Sequence, residues 1–174
     1  MLAEDPCVGV DLPPLQRREM EALSVDECKR FLAVARESKW FALFALALTS
    51  GMRPSEYLAL IWSDVDWQRG TASICRTIQV SPSGWQFYDT KRKRSRRAVK
   101  LQGFVLNALE TLRKAQLPAP KGEPGAELDL IFHSDRGLPL KQRPVKREFR
   151  RLLARAGIRP GLSKLGFRKR AESR

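Results

Sequence analysis

The spacing of apolar residues divides this chain into a polar lead-in, two helical stretches, a β-textured middle and a return to helical period. Ser24 with Glu27 three positions on fits a capping box, and Cys28, Phe31, Leu32 and Ala35 follow at helical spacing. An amphipathic helix ending near Ser38 is predicted, its polar face carrying Asp26, Lys29, Arg30 and Arg36. Residues 40–50 are apolar on every side, which predicts a helix buried in the core. Gly51 ends that helix and Pro54 opens another through Leu60, so Arg53 falls in the turn between two helices.

From Trp62 to Leu101 the texture changes to β-branched and aromatic residues broken by turn signals. Residues 71–75, 77–80, 85–88 and 98–99 read as strands, with the turn Ser81-Pro82-Ser83-Gly84 among them, and together predict a small antiparallel sheet of about three strands. Helical period returns at Phe104, Val105, Ala108, Leu109 and Leu112. A loop containing Pro and Gly spans residues 117–125, and Leu130-Ile131-Phe132 reads as a short buried strand or turn. A last helix, residues 144–156, sets Val145, Phe149, Leu152 and Leu153 on one face and Lys146, Arg147, Arg150, Arg151 and Arg155 around the rest, with Gly157 ending it. The expected class is α+β, mainly α-helical, with a small three-stranded antiparallel sheet.

Residues 1–22, with Asp5-Pro6, Pro13-Pro14 and Arg17-Arg18-Glu19 but no sustained period, read as an extended lead-in or linker. Residues 23–174 then form one domain, which suits a chain of 174 residues.

Charge narrows the partner. Thirty-three Lys and Arg against nineteen Asp and Glu leave a net +14, so a polyanion is the expected partner and double-stranded DNA its leading form. A protein that is basic throughout, of the ribosomal or nucleoid type, would show the same balance. Cys7, Cys28 and Cys75 are odd in number and far apart, and His133 is the single histidine, which argues against a disulfide framework or a metal site. No stretch approaches the ~20 apolar residues of a membrane span, and the N-terminus has no signal-peptide pattern, so no membrane partner and a cytoplasmic location are expected.

The chemistry is concentrated in four places. The first is Thr49-Ser50-Gly51-Met52-Arg53-Pro54-Ser55-Glu56-Tyr57-Leu58-Ala59-Leu60, followed by Trp62-Ser63-Asp64-Val65-Asp66. Attack on a phosphodiester builds charge on two non-bridging oxygens, and a planar guanidinium such as Arg53 can hold both. The plain alternative is a helix-start arginine bonded to Glu56. The second is the run from Asp89 to Leu101, in which six of the seven residues Lys91, Arg92, Lys93, Arg94, Ser95, Arg96 and Arg97 are basic. Such a run also suits a hairpin that grips DNA backbone without reading sequence.

These segments resemble the catalytic domain of the phage integrases, the tyrosine recombinases. Arg53 matches the first catalytic arginine of their Arg box, with Pro54-Ser55 where a small polar residue and Gly are usual. Residues 90–97 are similar to the family's Thr-Lys-Thr-x-x-Ser-x-Arg hairpin, which puts Lys91 at the lysine that protonates the leaving oxygen and Arg92 where Thr is usual. The third place, Leu130 to Leu140, is similar to the turn before the family's basic helix, and His133 within it has no nucleophile motif beside it. In the fourth, Lys164-Leu165-Gly166-Phe167-Arg168-Lys169 stands at the His-x-x-Arg-His box. Arg168 then matches the second catalytic arginine, while Leu165 replaces the first histidine and can neither accept a proton nor bond a phosphate oxygen.

The resemblance implies site-specific DNA cleavage and rejoining through a phosphotyrosyl bond, with neither metal nor nucleotide cofactor. It also implies a preceding core-binding domain and a nucleophilic tyrosine beyond Arg168, whereas the two tyrosines present are Tyr57 and Tyr88. The expectation is therefore an integrase-like catalytic domain, incomplete at its C-terminus and inactive by itself. Arg53, Lys91 and Arg168 are its catalytic candidates. Arg92, Lys93, Arg94, Arg96, Arg97, Lys146, Arg147, Arg150 and Arg151 are its DNA contacts, with self-association on DNA as a further expectation. The alternative is a basic DNA-binding module without chemistry, gripping through residues 92–97 and the last helix.

Overall fold

The computed structural model of the protein describes residues 23–81, 84–89, 96–116 and 128–159. The lead-in at 1–22, most of the basic run at 91–95, the loop at 117–125 and the segment carrying Leu165 and Arg168 lie outside the described residues.

Helix α1, Val25–Ala35, begins with the expected reciprocal cap: Ser24 Oγ accepts from the Glu27 amide at 3.2 Å, and Glu27 Oε2 accepts from the Ser24 amide at 2.8 Å. Helix α2, Phe41–Ser50, buries Ala42 through Ala47 and ends on Gly51 at φ 63°, a left-handed conformation that glycine adopts without Cβ strain. Helix α3, Pro54–Tyr57, is a single turn, because Leu58 to Leu60 turn away so that Ile61 can bridge Leu130. A 3-10 turn, Trp62–Asp64, leads into the sheet region.

Among the described residues, five strands lie in two sheets. In the first, β1 (Val65–Asp66), β2 (Thr71–Ile74) and β5 (Arg97–Lys100) form a three-stranded antiparallel sheet in the order β1-β2-β5. In the second, β3 (Arg76–Ser81) and β4 (Gly84–Asp89) form a separate antiparallel hairpin from Arg76 opposite Asp89 to Ser81 opposite Gly84. The predicted three-stranded sheet is present, but the strands expected at 77–80 and 85–88 make up the hairpin, while the short β1 and β5 flank β2.

Helix α4, Gly103–Ala115, packs on α2, and helix α5, Gln142–Arg155, packs on α1. The last helix starts two residues before the sequence boundary. Pro144 is its third residue, within the first turn, where its missing N–H costs no helical bond. Phe31, Phe44 and Phe149 meet at centroid distances of 5.1 to 6.0 Å and join α1, α2 and α5. The core extends through Tyr57, Leu58, Ile74, Leu109 and Ile131.

Candidate functional site

Arg53 occupies the N-cap position of α3, between left-handed Gly51 and helix-starting Pro54. Its side chain is 67% exposed, while that of Glu56, three residues on and one face of a turn away, is 4% exposed. Glu56 accepts from the Arg53 amide at 2.8 Å through Oε2 and from Arg53 Nη1 at 3.1 Å through Oε1. The buried carboxylate therefore braces the exposed guanidinium from beneath.

The second partner of Glu56 is Arg97, the first residue of β5. Its Nη1 donates to Oε1 at 3.1 Å and its Nη2 to Oε2 at 2.7 Å, the paired fork geometry of a guanidinium on a carboxylate. Each Glu56 oxygen thus accepts two hydrogen bonds. Burial pushes the Glu56 carboxyl up, but the Arg97 bonds, the Arg53 amide and the Arg53 guanidinium outweigh it and hold the group below the ordinary carboxylate value.

A parallel arrangement supports the next turn. Asp64, buried, accepts from the Ile61 amide at 3.0 Å and from Arg76 Nη1 at 2.6 Å. Asp66 closes the following turn by accepting from the Arg69 amide at 2.9 Å. Trp62 Nε1 donates to Gln116 Oε1 at 3.2 Å, and Gln116 Nε2 donates to the Ile131 carbonyl at 2.7 Å, tying the end of α4 to the same turn.

The structure thus brings Arg53 and Arg97 onto one carboxylate. Arg96 reaches Asp89 at 3.9 Å, so the two ends of the segment that contains Lys91, Arg92, Lys93 and Arg94 stand within ion-pair distance. Those four residues and Arg168 lie outside the described residues. Lys146, Arg147 and Arg150 are exposed on α5, which belongs to the α1 side of the molecule. Arg151 on the same helix is held by Glu148, at 2.8 Å to Oε2 and 2.7 Å to Oε1. His133 Nδ1 lies 2.8 Å from the Ser134 carbonyl, which can only accept, so this nitrogen carries the proton. Tyr57 is 1% exposed and its hydroxyl is pushed upward by burial. Tyr88, on the hairpin, bonds Gln86.

Sequence reading placed Arg97 among the phosphate contacts and passed over Arg76. A signal for Arg97 was present: in Arg97-Ala98-Val99-Lys100-Leu101 the period of two puts Arg97 on the face of Val99 and Leu101. The register, with Ala72 opposite Val99 and Ile74 opposite Arg97, places that face on the core. Arg76 carried no comparable signal, because its acceptor lies twelve residues earlier in an irregular turn.

The model of the phage integrase family matches residues 21–174, nearly the whole chain. This chain belongs to the phage integrase family. Over 178 residues it is 26% identical to a tyrosine recombinase XerC-like protein of Caldanaerobacter subterraneus subsp. tengcongensis, covering 90% of this chain and 45% of that protein. Over 124 residues it is 32% identical to the ICEBs1 integrase of Bacillus subtilis strain 168, covering 67% of this chain and 32% of that one. Its fold is similar to that of the Tn1549 transposon integrase solved in complex with a circular intermediate DNA, with a TM-score of 0.72 at 16% identity over 90% of this chain and 50% of that one. This integrase-family chain therefore spans less than half the length of the curated relatives it matches. The mixed helical fold with small antiparallel ladders is the one the resemblance led us to expect. Among the described residues, no helix is long and apolar enough to cross a membrane and no cluster of three or more His, Cys, Asp or Glu could hold a metal ion.

Proposed function

We propose that these 174 residues form the phosphate-holding part of a site-specific DNA recombinase, in which Arg53 clamps the scissile phosphate of a duplex. The observation that carries this reading is the exposed guanidinium of Arg53 standing on a buried, ionised Glu56 at the position that matches the family's first catalytic arginine. A guanidinium braced on one edge keeps its other donors for a phosphate that is gaining charge, and pre-set donors cost no reorganisation when the charge develops. Lys91, on the segment that returns at Arg97, is assigned the proton delivery to the leaving oxygen, and Arg168 the second clamp. Arg92, Lys93, Arg94 and Arg96 on that segment, with Lys146, Arg147, Arg150 and Arg151 on α5, take the flanking backbone phosphates, which position the duplex without reading its sequence. Self-association on DNA and the linker role of residues 1–22 belong to the same reading.

The test is the affinity of the chain for a duplex of arbitrary sequence across about 50 to 200 mM salt. Affinity is expected to fall by about one unit of log-log slope for each phosphate contact, and Arg53→Gln to weaken binding on the order of tenfold and to lower the slope by about one. Binding indifferent to salt, or an Arg53→Gln variant that binds like the parent, would sink the proposal.

The polypeptide by itself is assigned binding without strand cleavage. Tyr57 is enclosed by the core with its hydroxyl proton held tightly, and Tyr88 lies on a strand of the hairpin, so neither is presented as a nucleophile beside Arg53. Incubation with duplex DNA followed by denaturing electrophoresis is expected to show no covalent protein–DNA species. A phosphotyrosyl adduct mapped to Tyr57 or Tyr88 would overturn this assignment.

A further inference from the structure

We infer that Arg97 is a positioning residue and not a phosphate contact: through the buried Glu56 it keeps the charge of Arg53 available to DNA and ties β5 to the turn that presents Arg53. The inference rests on the reading of Arg53 given above.

Three observations carry it. First, the strand period and the register turn Arg97 inward, in line with Val99 and opposite Ile74, whereas a phosphate contact would belong on the outward face with Ala98 and Lys100. Second, both terminal nitrogens of Arg97 lie on Glu56, which commits its fork to the carboxylate. Third, the four acceptor sites of the Glu56 carboxylate are filled by two bonds from Arg97 and two from Arg53.

The charge arithmetic gives the consequence. Two guanidiniums on one carboxylate leave the cluster with one net positive charge, carried by the more exposed arginine: the Arg53 side chain is 67% exposed and that of Arg97 37%. Without Arg97, a buried carboxylate would face Arg53 alone. Arg53 would then be drawn onto it, and the cluster would present no net charge to an anion. Arg97 is itself the first residue of β5, so its bonds to Glu56 tie that strand to the turn that presents Arg53.

The experiment compares Arg53→Gln, Arg97→Gln, Arg53→Gln/Arg97→Gln, Glu56→Gln and Glu56→Gln/Arg97→Gln in the full chain. It reads affinity for a duplex of arbitrary sequence and, without DNA, the Arg53 side-chain Nε–H resonance. Arg97→Gln is expected to shift that resonance and to weaken binding on the order of tenfold, with the Arg53→Gln/Arg97→Gln double no weaker than the weaker single. Removing the carboxylate as well is expected to restore binding, so that Glu56→Gln/Arg97→Gln binds like Glu56→Gln. That pair of variants carries no uncompensated buried carboxylate and decides the matter even if Arg97→Gln alone fails to fold. The inference is overturned by an unmoved Arg53 resonance, by additive losses in Arg53→Gln/Arg97→Gln, or by a further tenfold loss between Glu56→Gln and the Glu56→Gln/Arg97→Gln double. Failure of the underlying reading looks different: Arg53→Gln would leave affinity unchanged while the resonance still moved in Arg97→Gln.

Discussion

At the scale of single residues, Glu56 makes the fold sensitive to acid. Its carboxyl is held below its ordinary value when folded, so ionisation favours the native state. The resulting stability is fully present above the unfolded carboxylate value of about 4.3 and is lost as pH falls through the lower folded value. Thermal melts between about pH 6 and 3 should therefore show a steeper loss for the parent than for Glu56→Gln; equal acid slopes would remove Glu56 from this role. The Arg53 and Glu56 pairing was legible at this scale, because residues three apart at a helix start face each other. The partnership of Glu56 with Arg97 was not, since 41 residues separate the two and only the strand period hinted that Arg97 turns inward.

At the scale of elements, the helices were the legible part. Each announced itself through a cap, a 3.6-residue period, a starting proline or a terminating glycine, all of which are local. Strand pairing depends on partners that spacing does not name, so the division into two ladders became visible only in the structure. Helix α3 was expected to run to Leu60 and stops at Tyr57, because the long-range bridge between Ile61 and Leu130 competes with local helical bonding. Packing, not propensity, holds the basic helix α5, whose polar residues surround four buried apolar ones. Phe149→Ala would empty the place where α1, α2 and α5 meet and should lower stability by about 3–5 kcal/mol in denaturant melts. A loss below about 1 kcal/mol would mean that α5 is held from elsewhere.

At the scale of the molecule, the Arg76 and Asp64 pair joins the two ladders, since Arg76 begins β3 and Asp64 immediately precedes β1. Arg76→Met would strand the buried Asp64 carboxylate with one backbone donor and should lower stability by about 2–4 kcal/mol, whereas adding Asp64→Asn should recover part of that loss. Unaltered melting in Arg76→Met would show that this ion pair does not hold the two ladders together. The charge of +14 was plain from composition, but which arginines face outward and which brace the interior was not.

The basic segment between Asp89 and Arg97 leaves from the hairpin and lands on the three-stranded sheet, so its two feet stand on different bodies. Among the described residues the bodies are linked covalently through Cys75, between β2 and β3, and braced by two ion pairs, Arg76 to Asp64 and Arg96 to Asp89. The Arg96–Asp89 pair, at 3.9 Å, thus closes the distance between those feet, and neutralising Asp89 would leave Arg76 and Asp64 as the remaining ionic brace between hairpin and sheet among the described residues.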